Sequence, residues 1–308
     1  MITSDLVIAT LSVVIVAATP IFFATLGAVF SQRAGVLNLG VEGIMLVGAI
    51  AGFMASVNTG SLFAGAMGAM FAGLLLGLFF AFLTVTVRAN QVVCGLALTI
   101  FGSGLSGYIG RPFLGLTAPV TAPKILIPVL SDIPYLGPIL FGQDIMVYIV
   151  YITVPLACLF IYRTSHGLNL RSVGENPGAA DSAGLNVFFL RYLYVCVGCM
   201  LSALGGAYIS LIYTPSWIEN MTAGRGWVAI ALVIFARWDP AKALLGAFIF
   251  GGVDIIGLRM QALGVTIPAQ YMRMLPYLLT ILVLILSTKN MRNAAPAGLG
   301  KAYDREER

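Results

Sequence analysis

Few ionisable side chains in this sequence lie among apolar residues, and Glu42 is one of them. It occurs in the segment NLGVEG, four residues after Asn38. An acid in apolar surroundings is costly and usually has a partner or a function. Glycines at positions 35, 40 and 43 indicate a broken or re-entrant segment whose freed backbone groups need partners. Glu42 could cap that segment or face a substrate, and we favour the structural role because one acid alone supplies no proton relay.

A second polar segment, WIENMTAGRGW, runs from Trp217 to Trp227. Glu219 and Arg225 are spaced to pair across a short turn, and the glycines on both sides of Arg225 again indicate broken backbone. Arg225 could hydrogen-bond the hydroxyls or carbonyls of a substrate. We favour a structural role in which it ties the turn to Glu219 or Glu42.

The sequence lacks a catalytic or metal-binding constellation. His166 is its single histidine and lies near Arg163 in a polar loop, and the sequence contains no HExxH or GxSxG motif. Cys196 and Cys199 share a helix face but have no histidine or acid beside them, which favours packing over metal binding. The segment GLGKA at Gly298 lacks the glycine spacing and hydroxyl residue of a phosphate loop. We therefore expect no enzymatic activity, metal or cofactor in this chain, and any ATP must be bound by another chain.

The composition places these residues in a membrane. Hydrophobic residues make up 59% of the 308-residue chain and charged residues 9%, against about 25% charged residues in a soluble domain. We predict an all-α, polytopic transmembrane bundle, a single domain over residues 1–308, with about nine crossings and eight or ten as alternatives. The predicted crossings are Leu6–Gln32, two within Gly43–Val87, Ala89–Gly110, Ile145–Tyr162, Tyr192–Ile218, Trp227–Ala236, Ala243–Leu258 and Ile267–Ser287.

Basic residues orient the predicted bundle. Placing the 163–191 loop and the 289–308 tail in the cytoplasm puts twelve of the seventeen Lys and Arg residues on that side. The amino terminus and the 111–144 loop are then external, and the net charge of +5 reflects topology rather than nucleic-acid binding. Because no positive charge precedes Leu6, we expect no cleaved signal peptide. We expect Asp254 and Arg259 to pair at the outer edge, and the tail to be frayed and solvated.

Small residues recur at four-residue spacing, which predicts close helix packing. Such ridges let helix backbones approach one another where lipid removes the hydrophobic driving force. The three ridges are Gly73 and Gly77; Gly102, Ser106 and Gly110; and Gly198, Ser202 and Gly206.

The longest polar island lies in the cytoplasmic loop, from Gly167 to Gly184. Asn176 followed by Pro177 is typical of a helix N-cap and first helical residue, and Gly184 is a suitable stop. The short helix predicted between them, Gly178–Ala183, consists of small residues that another protein could pack against closely. The pattern indicates a cytoplasmic helix on which a partner protein exerts force.

Four blocks resemble one family of membrane proteins, the permeases of bacterial ATP-binding-cassette (ABC) importers. Within it the chain is most similar to the branched-chain amino acid/ribose class, in the nucleoside and simple-sugar branch served by basic-membrane-protein-type binding proteins. The blocks are AGVLNLGVEGIMLVGA (Ala34–Ala49), ANQVVCGLALTI (Ala89–Ile100), GLNLRSVGENPGAADSAGLNV (Gly167–Val187) and MTAGRGWVAIALVIFARWDP (Met221–Pro240). Arg237 departs from the glycine expected in the last block.

The resemblance implies a translocation pathway formed by two permease subunits, alike or paired with a sister, in the bacterial inner membrane. It implies two cytoplasmic ATPases, which use the ATP, and an extracytoplasmic binding protein that delivers a nucleoside, nucleobase or simple sugar. Polar residues that could line the pathway or support it are Asn38, Glu42, Asn90, Gln91, Glu219 and Arg225. Residues implied in coupling to the ATPase are Gly174, Glu175, Asn176, Pro177, Ala179, Ala180, Ala183 and Gly184.

Other transport functions stay open at the level of sequence. The substrate could be a branched-chain amino acid or another small polar metabolite. An ion-coupled secondary transporter is a weaker alternative, because such proteins usually need several midplane acids or unwound carbonyls. Glu42 and Asp254 are the acids embedded among apolar residues here.

Overall fold

The computed structural model describes residues 4–262, 268–287 and 295–305. In this part the chain is mostly helical, with one pair of two-residue strands. The helices are α1 Ser4–Arg33, α2 Val41–Thr59, α3 Leu62–Ala81, α4 Gln91–Gly110, α5 Leu136–Leu140, α6 Ile145–Arg163, α7 Ser165–Glu175, α8 Pro177–Ser182, α9 Val187–Tyr208, α10 Arg225–Ala236, α11 Pro240–Ala262 and α12 Ala269–Ser287.

Seven helices in the described residues are long and apolar enough to span a membrane: α1, α2, α3, α4, α6, α9 and α11. The predicted polytopic helical bundle is confirmed, whereas the count of about nine crossings is not. Trp227–Ala236 is wrong as a helical span, because α10 has 12 residues and is roughly 18 Å long, short of the roughly 30 Å hydrocarbon core. The predicted span Ile267–Ser287 begins outside the described residues and otherwise corresponds to α12.

Helix α9 lies at the centre of the bundle and packs against α1, α2 and α3. The ridges that begin at Gly73 and Gly198 make these contacts, as predicted, whereas the ridge that begins at Gly102 lies on α4, where Gly102 packs against Gly43 of α2. Gly198 meets the backbone of Gly27 in α1, and Gly206 meets the carbonyl of Met45 in α2 so closely that a methyl group would overlap it. Dispersion between closely packed backbones thus holds the centre of the bundle together.

The loop predicted to be external joins α4 to α6. Strand β1 (Ile125–Leu126) pairs antiparallel with β2 (Gly142–Gln143), and α5 lies between them in sequence. The loop is tied to the chain that follows α9, because Ala118 donates its amide to the Pro215 carbonyl at 2.9 Å.

The described part of the carboxyl-terminal tail is packed on the protein, so the expectation of a frayed, solvated tail is wrong for residues 295–305. Pro296, Gly298 and Tyr303 are buried. The Gly298 amide donates to the Gly174 carbonyl at 2.9 Å and the Gly300 amide to the Gly35 carbonyl at 3.1 Å. These long-range backbone bonds replace the solvent contacts that composition alone had suggested.

Candidate functional site

Glu42 lies in the first turn of α2 and binds the beginning of α10. Its Oε1 accepts hydrogen bonds from Thr222 Oγ1 at 2.5 Å and from the Gly224 amide at 2.9 Å, and its Oε2 accepts one from the Gly226 amide at 2.6 Å. The residue is 7% exposed. The first amides of a helix have no partner within the helix and carry its positive dipole end. The two oxygens of Glu42 supply both the acceptors and the negative charge that this helix end favours.

The helix end that Glu42 caps lies deep in the bundle. Gly43 packs against Thr99 and Gly102 of α4, and Gly102 is roughly 16 Å along α4 from its start at Gln91. Helix α10 therefore begins beside the middle of α4 rather than beside one of its ends. The chain is non-helical before Gly224 and helical after it.

The chain before α2 is a buried connection rather than a re-entrant helix, and side chains from α4 hold it. Gln91 Oε1 accepts a hydrogen bond from the Leu37 amide at 2.7 Å, and Thr99 Oγ1 donates to the Leu39 carbonyl at 3.1 Å. Asn38 is buried, and its Oδ1 accepts from the Gly40 amide at 2.7 Å. These polar groups satisfy backbone that helix formation leaves unpaired.

Two of the predicted polar residues lie outside this buried connection. Asn90 caps the start of α4 by accepting from the amides of Val92 and Val93. Glu219 is exposed and lies beside Gly107 of α4. The structure thus brings together Asn38, Glu42 and Gln91 around α2, with Arg225 close by at the start of α10.

Arg225 pairs with an acid that sequence reasoning did not assign to it. Its Nη2 lies 3.0 Å from Asp254 Oδ2 on α11, and its guanidinium lies 5.3 Å from the centre of the Tyr213 ring. The predicted pairing with Glu219 or Glu42 is wrong, as is the predicted partnership of Asp254 with Arg259. Helix α11 packs against α10 and brings Asp254 to the guanidinium, which spacing along the chain does not reveal.

A cavity of about 510 Å³ opens beside this ion pair. Its walls combine apolar side chains with the two charged groups and with Tyr213, Asn220 and Tyr277. The Tyr277 hydroxyl donates to the Ala223 carbonyl at 3.0 Å. Sequence reasoning did not identify Tyr213, Tyr277 or the buried Thr222, since isolated aromatic and hydroxyl residues are common in spans. The available signal was that Thr222 lies within the polar segment, shortly before its glycines.

The structure contains the predicted cytoplasmic helix as α8, one residue earlier than predicted. Asn176 Oδ1 accepts from the Ala179 amide at 3.0 Å, and Gly184 follows the helix at a φ of +87°. Ala179, Ala183 and Gly184 are exposed, as are Glu175 and Asn176. Gly174 is buried against the Arg33 backbone.

Ala180 is not in a solvated position, contrary to expectation. It is 4% exposed and packs in a small cluster with Val173, Val187 and Tyr303. The helix has one buried face and one exposed face, so only part of it is available to a partner.

Arg237, which stands where the resemblance predicts glycine, follows the last residue of α10. Its φ is +53° and that of Trp238 is +57°, a left-handed conformation that favours glycine. Arg33 supports this turn by donating from Nε to the Trp238 carbonyl at 3.2 Å, and Trp238 donates to Gln32 Oε1 at 2.8 Å. The departure from the family pattern thus has a local conformational cost that contacts with α1 offset.

The chain is similar to a known protein family, to individual transporter proteins and to a solved structure. The family described as branched-chain amino acid transport system / permease component matches residues 10–284. The chain is 38% identical to TsgC13 of Haloferax volcanii, provisionally named a glucose ABC transporter permease protein, over 96% of this chain and 97% of that protein. It is 35% identical to the guanosine ABC transporter permease protein NupQ of Bacillus subtilis, over 88% of this chain and 89% of NupQ.

A solved structure shares the fold. It is an inward-facing conformation of an ABC transporter provisionally assigned to the metal-chelate type, with a TM-score of 0.52 and 17% identity. The match covers 90% of this chain and 85% of the other.

Proposed function

This chain belongs to the family of branched-chain amino acid transport system permease components, and we propose that it imports a nucleoside, a nucleobase or a simple sugar. As a permease of an ABC transporter it supplies the membrane pathway. The observation that carries the proposal is the family match over residues 10–284, together with full-length similarity to permeases named for guanosine and, provisionally, for glucose.

The cavity at the break before α10 supports a polar ring compound as the substrate. Its volume of about 510 Å³ lies within the range of small-ligand pockets. Tyr213 and Tyr277 offer ring faces, while Arg225 and Asp254 offer a donor and an acceptor. Nucleosides and sugars carry the hydroxyl groups that such a pair can bind.

Glu42 has a supporting role in this proposal. Its oxygens accept hydrogen bonds from three groups of the 222–226 segment. Glu42 therefore holds the non-helical chain before α10 in place, while Arg225 and Asp254 line the cavity. The same commitment weakens the ion-coupled alternative, because both oxygens of Glu42 already accept hydrogen bonds from the protein.

Transport is driven by a separate ATPase in this proposal. The sequence contains no phosphate loop, and α8 presents an exposed face with the small residues Ala179 and Ser182, which the exposed Ala183 follows. We place a second permease subunit beside this one, a binding protein outside and the whole assembly in the bacterial inner membrane. The non-helical 214–224 segment and α10 would together complete one crossing, which gives about nine crossings with the amino terminus outside and the carboxyl terminus in the cytoplasm.

Reconstitution tests the proposal. The purified chain in proteoliposomes should take up neither labelled guanosine nor labelled glucose when ATP is added. Addition of its ATPase and binding protein should produce uptake of one of them that stops with a non-hydrolysable nucleotide. ATP-driven uptake by the chain alone would contradict the subunit role, and uptake of leucine alone by the assembly would favour the branched-chain amino acid alternative.

A further inference from the structure

The carboxyl-terminal segment 296–305, here called the strap, covers the inner face of α8. Arg305 donates to Asp181 of α8 from Nε at 2.9 Å and from Nη2 at 3.0 Å. The Asp181 side chain is 7% exposed, so most of it is shielded from water. The hydrogen bonds and the negative charge of Asp181 raise the pKa of Arg305. A bidentate arginine–carboxylate pair fixes orientation as well as distance.

An apolar contact reinforces the ion pair. Tyr303 is 9% exposed and packs with Ala180 of α8 and with Val173 and Val187 on the flanking helices. Its ring centre lies 5.8 Å from that of Phe188. A six-residue helix such as α8 has too few internal hydrogen bonds to be stable by itself. Its position therefore depends on these contacts and on its two caps.

The other side of the strap is bound to the transmembrane body at well-separated points. The Gly300 amide donates to the Gly35 carbonyl in the connection before α2 at 3.1 Å. Arg191 of α9, 1% exposed, donates from Nη1 to the Lys301 carbonyl at 3.1 Å. Asp304 forms an ion pair with Arg88, in the turn that precedes α4. The strap thus joins α8 to the chain that leads into α2 and to the turn that leads into α4.

We propose that the strap positions α8 for the ATPase and transmits displacement of α8 to the connections before α2 and α4. Arg305 and Tyr303 are the positioning residues, and neither is placed in the substrate cavity. This inference rests on the proposed function, because it assigns the strap to the coupling of ATP hydrolysis to transport. This role of the strap explains why α8, which consists of small residues, needs support on its inner face. A push on an unsupported six-residue helix would tilt that helix instead of moving the bundle.

Charge exchange tests the proposal. Arg305→Asp places two acids side by side, and the double variant Asp181→Arg with Arg305→Asp restores an opposite pair. Lys301→Asp is the matched control, because it makes the same charge change within the strap. The Lys301 side chain is exposed, and its residue contacts Arg191 through the backbone carbonyl. Membrane yield and size-exclusion profiles establish that each variant is folded. Tyr303→Phe and Tyr303→Ala separate the loss of a hydroxyl from the loss of the ring.

Two measurements are made on this set. Amide hydrogen exchange of residues 177–184 in the permease without its ATPase reports how firmly α8 is held. ATP hydrolysed per substrate imported, in proteoliposomes with the ATPase and binding protein, reports coupling. We expect Arg305→Asp and Tyr303→Ala to raise both several-fold. The double variant, Tyr303→Phe and Lys301→Asp should stay close to the wild type.

The outcomes separate this inference from the proposed function. Wild-type values for Arg305→Asp and Tyr303→Ala in both measurements would overturn the strap's role and leave the importer function intact. A double variant as impaired as Arg305→Asp would also overturn it, since the pair would then not be the cause. If the wild type shows no ATP-driven uptake, the proposed function fails and the coupling role fails with it. Hydrogen exchange would still decide whether the strap holds α8.

Discussion

Replacement of Glu42 gives the most direct test of how the non-helical chain before α10 is held. Its two oxygens accept from the amides of Gly224 and Gly226 and from the hydroxyl of Thr222. In Glu42→Ala the hydroxyl of Thr222 can rotate to another acceptor, but the two amides cannot. A buried donor without a partner costs about 1–3 kcal/mol. We therefore expect Glu42→Ala to lower the free energy of unfolding by about 2–6 kcal/mol, a large share of the roughly 5–15 kcal/mol available to a folded protein.

Glu42→Gln should be milder. The glutamine oxygen can still accept from Thr222 and Gly224, whereas its NH₂ group faces the Gly226 amide, so one donor loses its acceptor. The expected loss is about 1–3 kcal/mol. Thermal unfolding of purified protein in detergent and the folded fraction in size-exclusion chromatography measure both variants. Glu219→Ala is the matched control, because Glu219 is an exposed acid in the same polar segment and should unfold like the wild type.

The substrate profile discriminates between the two interpretations of Glu42. If its role is structural, Glu42→Ala loses folded yield while the remaining folded protein keeps its substrate preference. A Glu42→Ala protein with wild-type yield, wild-type unfolding temperature and a changed substrate profile would refute this reasoning. Glu42 would then belong to the pathway wall.

Three other sites yield sharp expectations. Gly206→Ala should destabilise the bundle by about 1–3 kcal/mol in thermal unfolding, because the new methyl group would overlap the α2 backbone. Ala179→Arg should insert normally but lose the ATPase in co-purification, since this residue is exposed. Ala180→Arg, at a position 4% exposed, should also speed hydrogen exchange in α8 by displacing the strap. Arg225→Lys should fold but raise the substrate concentration for half-maximal uptake, because lysine loses the planar group that lies over a tyrosine ring.

Each of these expectations has a control or a contrary result. Gly104 faces open space, so Gly104→Ala should be neutral or stabilising in its helix, and equal unfolding temperatures for Gly206→Ala and Gly104→Ala would contradict the packing argument. Full uptake by Ala179→Arg with its ATPase bound would remove α8 from coupling. Unchanged half-saturation in Arg225→Lys would place the substrate elsewhere.

The sequence by itself determined the features that depend on neighbouring residues. Apolar runs predicted five of the seven spanning helices closely, placed the sixth five residues too late at Tyr192–Ile218 and placed the seventh within α11, because hydropathy over about 20 residues decides insertion into a bilayer. Asn176 and Gly184 predicted the limits of α8, since capping is satisfied within a few residues of chain. The small-residue ridges predicted close packing for the same local reason: they change how near any neighbour can come.

Only the tertiary structure decided which groups meet. Glu42 accepts a hydrogen bond from Thr222, which is 180 residues away in sequence. Arg225 pairs with Asp254 instead of an acid nearer in sequence. In both cases helix packing, and not sequence spacing, selects the partner. The same holds for Ala180. Its place in a polar loop predicted a solvated residue, but Tyr303 of the strap packs against it. Composition described the tail as polar, but its backbone amides bind carbonyls near Gly35 and Gly174. Polar groups inside a membrane protein must be satisfied by protein, and which protein groups do so depends on how the whole chain packs.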